Sequence, residues 1–260
     1  MHHLNNISVI GMGLIGGSIV KTWKKKKPHA KIGSLRADFA DLQQASKEGW
    51  VDQLFDSWKE LMAWSDLIIL ATPLSTIPDV ALEMSRHCPE NKPLLIIDIG
   101  SVKKEIVPTF EKLTKGNIEF LSTHPMAGKE KWGFANSDPD LFERRPWIVT
   151  PHGKNRDETV KQIGAWIKIM GADPIVLSLE EHDSQTALVS HLPALLSRLL
   201  AQFVEERDPD ALKIAGPCFH STTRVARDNP QLWAEINALN REKIHDHFAA
   251  LLKFIEEQTR

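Results

Sequence analysis

Apolar and polar positions follow two regimes along the chain. Up to about residue 178, short β-branched or leucine-rich runs alternate with longer stretches whose apolar residues recur at helical spacing. Ile7 to Ile10 reads as a buried strand, and a helical pattern opens at Leu14. AKIGSLR (30–36), DLIILATP (66–73), PLLIIDIGS (93–101) and IEFLSTHP (118–125) read as further strands, with RPWIVTP (145–151) and DPIVLSL (173–179) after them. Helical patterns fall around 38–48, 76–87, 103–114 and 156–169. Strands alternating with helices predict an α/β domain with a parallel, doubly wound sheet over residues 1–178. From Glu180 the strand and turn signals fade. EEHDSQTALVSHLPALLSRLLAQFVEE and NPQLWAEINALNREKIHDHFAALLKFIEEQ are long amphipathic stretches, which predict a smaller all-helical domain over 179–260. Pro193 is expected to kink the first of these helices if it lies inside it.

Between the first strand and helix, Gly11, Gly13 and Gly16 form G-x-G-x-x-G. The first glycine permits a tight turn, the second lets a pyrophosphate approach the backbone, and the third lets helix and strand pack closely. Leu14 and Ile15 open the helix, whose unpaired N–H groups and positive dipole end suit phosphates. Glycines so spaced also mark mere turns. The strand before and the helix after select the dinucleotide-binding reading.

In doubly wound sheets ligands lie beyond the carboxyl ends of the strands. ATPLST, DIGSVKK and STHPMAG fall at such ends, which places Thr72, Pro73, Ser101 and His124 on the cofactor side. The stretch GSLRADF ends the second strand, where an NAD site usually carries an acid. Ser34 and Arg36 there can donate to a 2′-phosphate, so NADP is expected, with Asp38 capping the next helix. The alternative is a solvent-facing Arg36 with Asp38 on the ribose of NAD.

A net charge of −2 argues against a nucleic-acid binder, and the Lys24–Lys27 run reads as a solvated helix end. Two distant cysteines indicate neither a disulfide framework nor a zinc site, and no metal is expected. No leader pattern opens the sequence and no apolar run approaches bilayer length, so a cytoplasmic protein without membrane contact is expected. His182 and His191, nine apart, are expected on opposite faces of a straight helix. His245 and His247 are expected to be solvated.

GMGLIGGS, ATP, DIGSVKK, HPMAGKEKWG, SHLPA, TTRVARDNPQLW and Asn240 occur in the order seen in the prephenate and arogenate dehydrogenase family, which the chain resembles from about residue 6 to 245. The resemblance implies a Rossmann domain, a helical dimerisation domain and a small-molecule substrate between them, with a homodimer as the assembly. It implies oxidative decarboxylation of a cyclohexadienol. His124 would take the ring hydroxyl's proton and Ser101 would orient that hydroxyl. Arg224 would anchor a carboxylate, Trp233 would line the side-chain region, and Glu130 would sit at the rim. Taken alone, Ser101 also reads as a helix N-cap, Arg224 as a surface ion-pair partner and Trp233 as core. Many prephenate-using members read SHLPH, where this chain has Ala194; His191 is retained, as a substrate-binding or a mainly structural residue. With Arg36, this departure favours arogenate and NADP; prephenate with NAD is the rival, and a nonenzymatic NADP-binding protein a third reading. No added regulatory domain is expected.

Overall fold

The computed structural model describes residues 4–89 and 92–259. The chain divides into two compact units, Met1–Leu179 and Glu180–Arg260.

The first unit is built on eight strands: β1 Asn6–Ile10, β2 Lys31–Leu35, β3 Gln53–Phe55, β4 Leu67–Leu70, β5 Leu94–Asp98, β6 Ile118–Pro125, β7 Pro146–Thr150 and β8 Asp173–Val176. Helices α1 Leu14–Lys26, α2 Ala40–Lys47, α3 Trp58–Trp64, α4 Ile77–Ser85, α5 Ile106–Leu113 and α6 Asp157–Ile169 connect them. The order across the sheet is β3-β2-β1-β4-β5-β6-β7-β8. The direction of winding reverses between β1 and β4, so the turn after β1 and the end of β4 border the switch-point crevice. Strands β4 and β5 are buried at every position, which is why they read as continuous apolar runs.

Three features of the first unit depart from the sequence reading. Strand β3 and helix α3 occupy a span where no element was expected, because three residues are too few to show a period. A local signal did exist: Ser57 caps α3 by accepting from the Glu60 N–H at 3.3 Å, and Glu60 completes an S-x-x-E pattern. The sheet is also not wholly parallel, since β7 runs antiparallel to β6. Only a short 3₁₀ turn, Phe134–Asn136, lies between them, and a parallel return needs a full helical crossover. The helix after GSLRADF begins at Ala40 behind Phe39, so Asp38 is not its cap; its carboxylate accepts from the Gln43 amide instead.

The second unit contains α8 Leu192–Arg207, α9 Pro217–Thr222, α10 Pro230–Leu239 and α11 Arg241–Gln258, preceded by α7 Leu179–Thr186. A π-turn, Ala187–His191, joins α7 to α8, with the Leu192 N–H reaching back to the Ala187 carbonyl. Pro193 follows at once, so its missing N–H and bulky ring fall where the turn is already widened. The helix therefore continues unbroken over Leu179–Arg207, 29 residues with a mean hydropathy of 1.4 over its most apolar window. That corrects the expectation that no apolar run reaches bilayer length. Length and composition alone would allow a crossing, but His182, Asp183 and His191 of this run are buried within the unit.

The inserted residue also defeats the straight-helix argument for His182 and His191. His182 Nδ1 lies 2.7 Å from Asp183 Oδ1. Asn240 Nδ2 donates to the Asp183 carbonyl at 2.8 Å and meets His191 Nδ1 at 3.2 Å. One Asp–Asn link thus ties both imidazoles into a single buried network. His247 is not simply solvated, since its Nε2 lies 3.1 Å from the Ser184 carbonyl.

Candidate active site

The glycine turn is set by close approach. Gly11 has φ +98°, and a Cβ there would lie 2.3 Å from the Ala71 carbonyl oxygen. A Cβ on Gly16 would lie 2.0 Å from the Gly11 oxygen, so helix α1 starts against its own turn. Gly13 differs, because a Cβ there meets nothing within 4 Å. Gly13 precedes α1 without a side-chain cap, and no acid occupies the first turn. The N–H groups of Leu14 and Ile15 belong to this uncapped first turn. Next to this turn, at the end of β4, the Thr72 hydroxyl is buried without a hydrogen-bond partner, and the exposed Pro73 follows it. An uncapped helix start, a cradle lacking a Cβ and an orphaned hydroxyl fit a pyrophosphate.

The adenosine end contradicts one expectation. The single Ser34 hydroxyl proton is donated to the Val9 carbonyl at 2.8 Å, and Ser34 is buried, so its side chain cannot donate to a phosphate. Arg36 is exposed just beyond β2, and its Nε donates to Asp56 Oδ1 at 2.5 Å from the end of β3. This partner was invisible because β3 itself was missed.

A buried ion pair lies under the next two strand ends. Lys103 Nζ, fully enclosed, donates to Asp98 Oδ2 and to the Thr123 carbonyl, both at 2.6 Å. The Gly100 N–H donates to the same Asp98 oxygen at 2.7 Å. The other oxygen accepts from Ser122 Oγ at 2.6 Å and from the Thr123 N–H at 3.1 Å. Trp147 Nε1 donates to Thr123 Oγ1 at 3.0 Å, tying in β7. Asp98 and Lys103 thus bracket Ser101 and grip the residues before His124. Neither was singled out in the sequence, where a lysine beside another lysine reads as solvated. Ser101 is half-buried and is not a helix cap, since α5 starts at Ile106 behind Glu105. His124 belongs to β6 itself, paired opposite Ile148, and retains 8% exposure at the strand's end. Glu130 is exposed in the loop that follows.

In the second unit, His191 and Trp233 meet edge to face, with ring centroids 6.3 Å apart. Arg224 is exposed on a 3₁₀ turn, Arg224–Arg227, that packs against α8. A further residue, Arg198, was not anticipated: its guanidinium lies over the Trp233 ring, 5.4 Å from the centroid. Burial pushes Arg198 below its ordinary value, against the opposing pull of Asp228.

Burial pushes the His191 imidazole from 6.5 down to about 4, with Asp183 pulling weakly the other way. The unfolded chain therefore takes up a proton near pH 6.5 that the folded chain refuses until about pH 4. The stabilisation is complete above that window and falls as the pH drops through it, by on the order of 3 kcal/mol. Urea unfolding at pH 7 and pH 4.5 should show this loss, and His191→Asn should reduce it. An identical acid dependence in the variant would contradict the assignment.

The profile described as "Prephenate dehydrogenase, nucleotide-binding domain" matches residues 19–176, and "Prephenate dehydrogenase, dimerization domain" matches residues 178–260. The chain belongs to the prephenate dehydrogenase family. It is a dehydrogenase acting on a cyclohexadiene substrate, with a nucleotide-binding first unit suited to a nicotinamide cofactor. Prephenate dehydrogenase of Bacillus subtilis (strain 168) is 32% identical over 97% of this chain and 69% of its own length. Cyclohexadienyl dehydrogenase of Zymomonas mobilis is 30% identical over 95% of this chain and 86% of its own. A crystal structure of prephenate dehydrogenase from A. aeolicus with hydroxyphenyl propionate and NAD+ superposes with a TM-score of 0.88 at 26% identity, covering 97% of this chain and 88% of that one. The family match begins downstream of the glycine turn, so the cofactor cradle rests on its own geometry.

Proposed function

We propose that this member of the family is an NADP-dependent cyclohexadienyl dehydrogenase that prefers arogenate and forms tyrosine. The observation that carries the substrate choice is the stripe of His191, which ends the π-turn, with Ala194 and Arg198 of α8, beside Trp233. His191 is held neutral, Ala194 offers no imidazole, and Arg198 and Asp228 present both signs of charge. An α-amino-acid side chain needs both signs, whereas a keto acid needs only a cation. The NADP choice rests on Arg36, which stands exposed after β2 where no acid ends the strand.

The glycine turn, Leu14, Ile15 and Thr72 hold the cofactor, and Arg36 takes its 2′-phosphate. When bound, the nicotinamide accepts hydride from the ring carbon that bears the hydroxyl. His124 takes the hydroxyl proton, with Ser101 orienting that oxygen. Carbon dioxide leaves from the opposite ring carbon, its bonding pair enters the ring, and His124 returns the proton to the phenolate. Aromatisation supplies the driving force, so positioning and one proton carrier suffice. Arg224 anchors a carboxylate, Trp233 lines the side-chain region and Glu130 stands at the rim.

The second unit leaves Leu188, Val189, Leu199, Leu200, Phe203 and Ile214 exposed. With a domain described in its family by dimerization, a second copy of the chain is the proposed cover, and a cytoplasmic homodimer the working form.

Prephenate with NAD is the second reading, favoured by relatives named prephenate dehydrogenase and by the NAD+ in the A. aeolicus complex. Initial rates with each of the two substrates and each of the two nucleotides decide between them. Arogenate with NADP should give the highest kcat/KM, and Arg36→Ala should raise the KM for NADP by about 10-fold or more while sparing NAD. A wild-type preference for prephenate with NAD, or equal losses for both nucleotides, would overturn the reading.

A further inference from the structure

Arg198 carries chemistry that no role so far uses. Its Nε and Nη2 are both shielded from solvent, and among the described residues neither has a hydrogen-bond partner. Two guanidinium nitrogens shielded from water with their donors unmet are costly, and the cost is recovered when a planar acceptor fills the fork. Three neighbours define what that acceptor meets. The Trp233 indole lies beneath the guanidinium, and its Nε1–H is likewise buried and unmatched. One turn farther along α10, the Asn237 side-chain oxygen is also unmatched. The Asp228 carboxylate also pulls on Arg198. The three unmatched donors of Arg198 and Trp233 outnumber the unmatched oxygens of Asn237 and Asp228, which suits an anion with two oxygens.

The helix explains why the fork is open. His191, Ala194 and Arg198 fall at i, i+3 and i+7 on one face, and the Trp233 ring meets the residues at both ends. The middle residue, Ala194, carries only a methyl group, so this position of the stripe offers the arginine's fork no polar partner.

We propose that Arg198 is a substrate-binding residue that takes one carboxylate of the cyclohexadiene substrate through Nε and Nη2, over the Trp233 face. It is an anchor additional to Arg224, placed one turn beyond the position where prephenate-using members carry the second histidine of SHLPH. This rests on the reading of the second unit as the part that holds the substrate.

The test compares two probes on the dimeric enzyme saturated with NADP: 3-(4-hydroxyphenyl)propionate and its amide, by calorimetry. The acid should bind wild type about 30-fold more tightly than the amide, and Arg198→Gln should cut that ratio to about threefold. Arg198→Lys, which keeps charge without the fork, should give an intermediate ratio, and it serves as the readout if the glutamine variant does not fold. A ratio unchanged in the variants would assign the carboxylate to Arg224 alone and overturn the proposal. Equal weakening of acid and amide, or loss of the dimer with the ratio intact, would make Arg198 structural and overturn it too. Absence of turnover by wild type with either cyclohexadienol and either nucleotide would instead strike the enzymatic reading, independently of the probe ratio.

Discussion

Replacing His124 by asparagine should lower kcat by about 100-fold or more, while the affinity for NADP changes by less than about threefold. The backbone at this position is held by β-pairing with Ile148 and by the strand residues clamped to Asp98, none of which needs the imidazole. Exchanging the side chain leaves these backbone contacts in place. Asparagine keeps a polar group of similar reach but cannot carry a proton. Steady-state kinetics beside nucleotide titration separates the two effects. A rate within about threefold of wild type would make His124 a structural residue and remove the proton acceptor from the mechanism.

Lys103→Met should be the most destabilising single change in the first unit, costing about 3–5 kcal/mol, because it strands the Asp98 carboxylate without its cation in a fully buried place. Asp98 is bonded to Gly100, Ser122 and Thr123, so disorder there reaches both Ser101 and His124. Turnover should fall with stability, although Lys103 is enclosed and touches no substrate. Adding Asp98→Asn should recover more than half of the lost stability, since a neutral amide no longer requires a buried counter-charge. Urea unfolding of the two variants measures both steps. A single-variant loss under about 1 kcal/mol would show that the pair is not the clamp described.

The α/β character of the first unit and the helical character of the second were legible, because long periodic runs and the glycine turn are local properties. What was not legible was set by distance in sequence or by shortness. The Ser34 hydroxyl looks available in GSLRADF, and only the neighbouring strand shows that Val9 takes its proton. Arg36 meets Asp56 across the β2–β3 edge, and β3 is too short to announce itself. DIGSVKK was recognised as a strand-end motif, yet Lys103 was not singled out, since full burial of a lysine needs a partner placed by the fold. The π-turn before Pro193 left no periodic trace, and it changed which histidines share a network. Arg198 could have been found by helical projection: it lies one turn past Ala194, the residue already marked as a departure.

The central claim is that one site removes hydride and carbon dioxide together from a cyclohexadienol. Arogenate carrying deuterium on the hydroxyl-bearing ring carbon, incubated with the enzyme and NADP, tests it most directly. Mass spectrometry should find the deuterium in the reduced nucleotide, with tyrosine and carbon dioxide formed in equal amounts to it. Reduced nucleotide without the label, or carbon dioxide released without nucleotide reduction, would contradict the account.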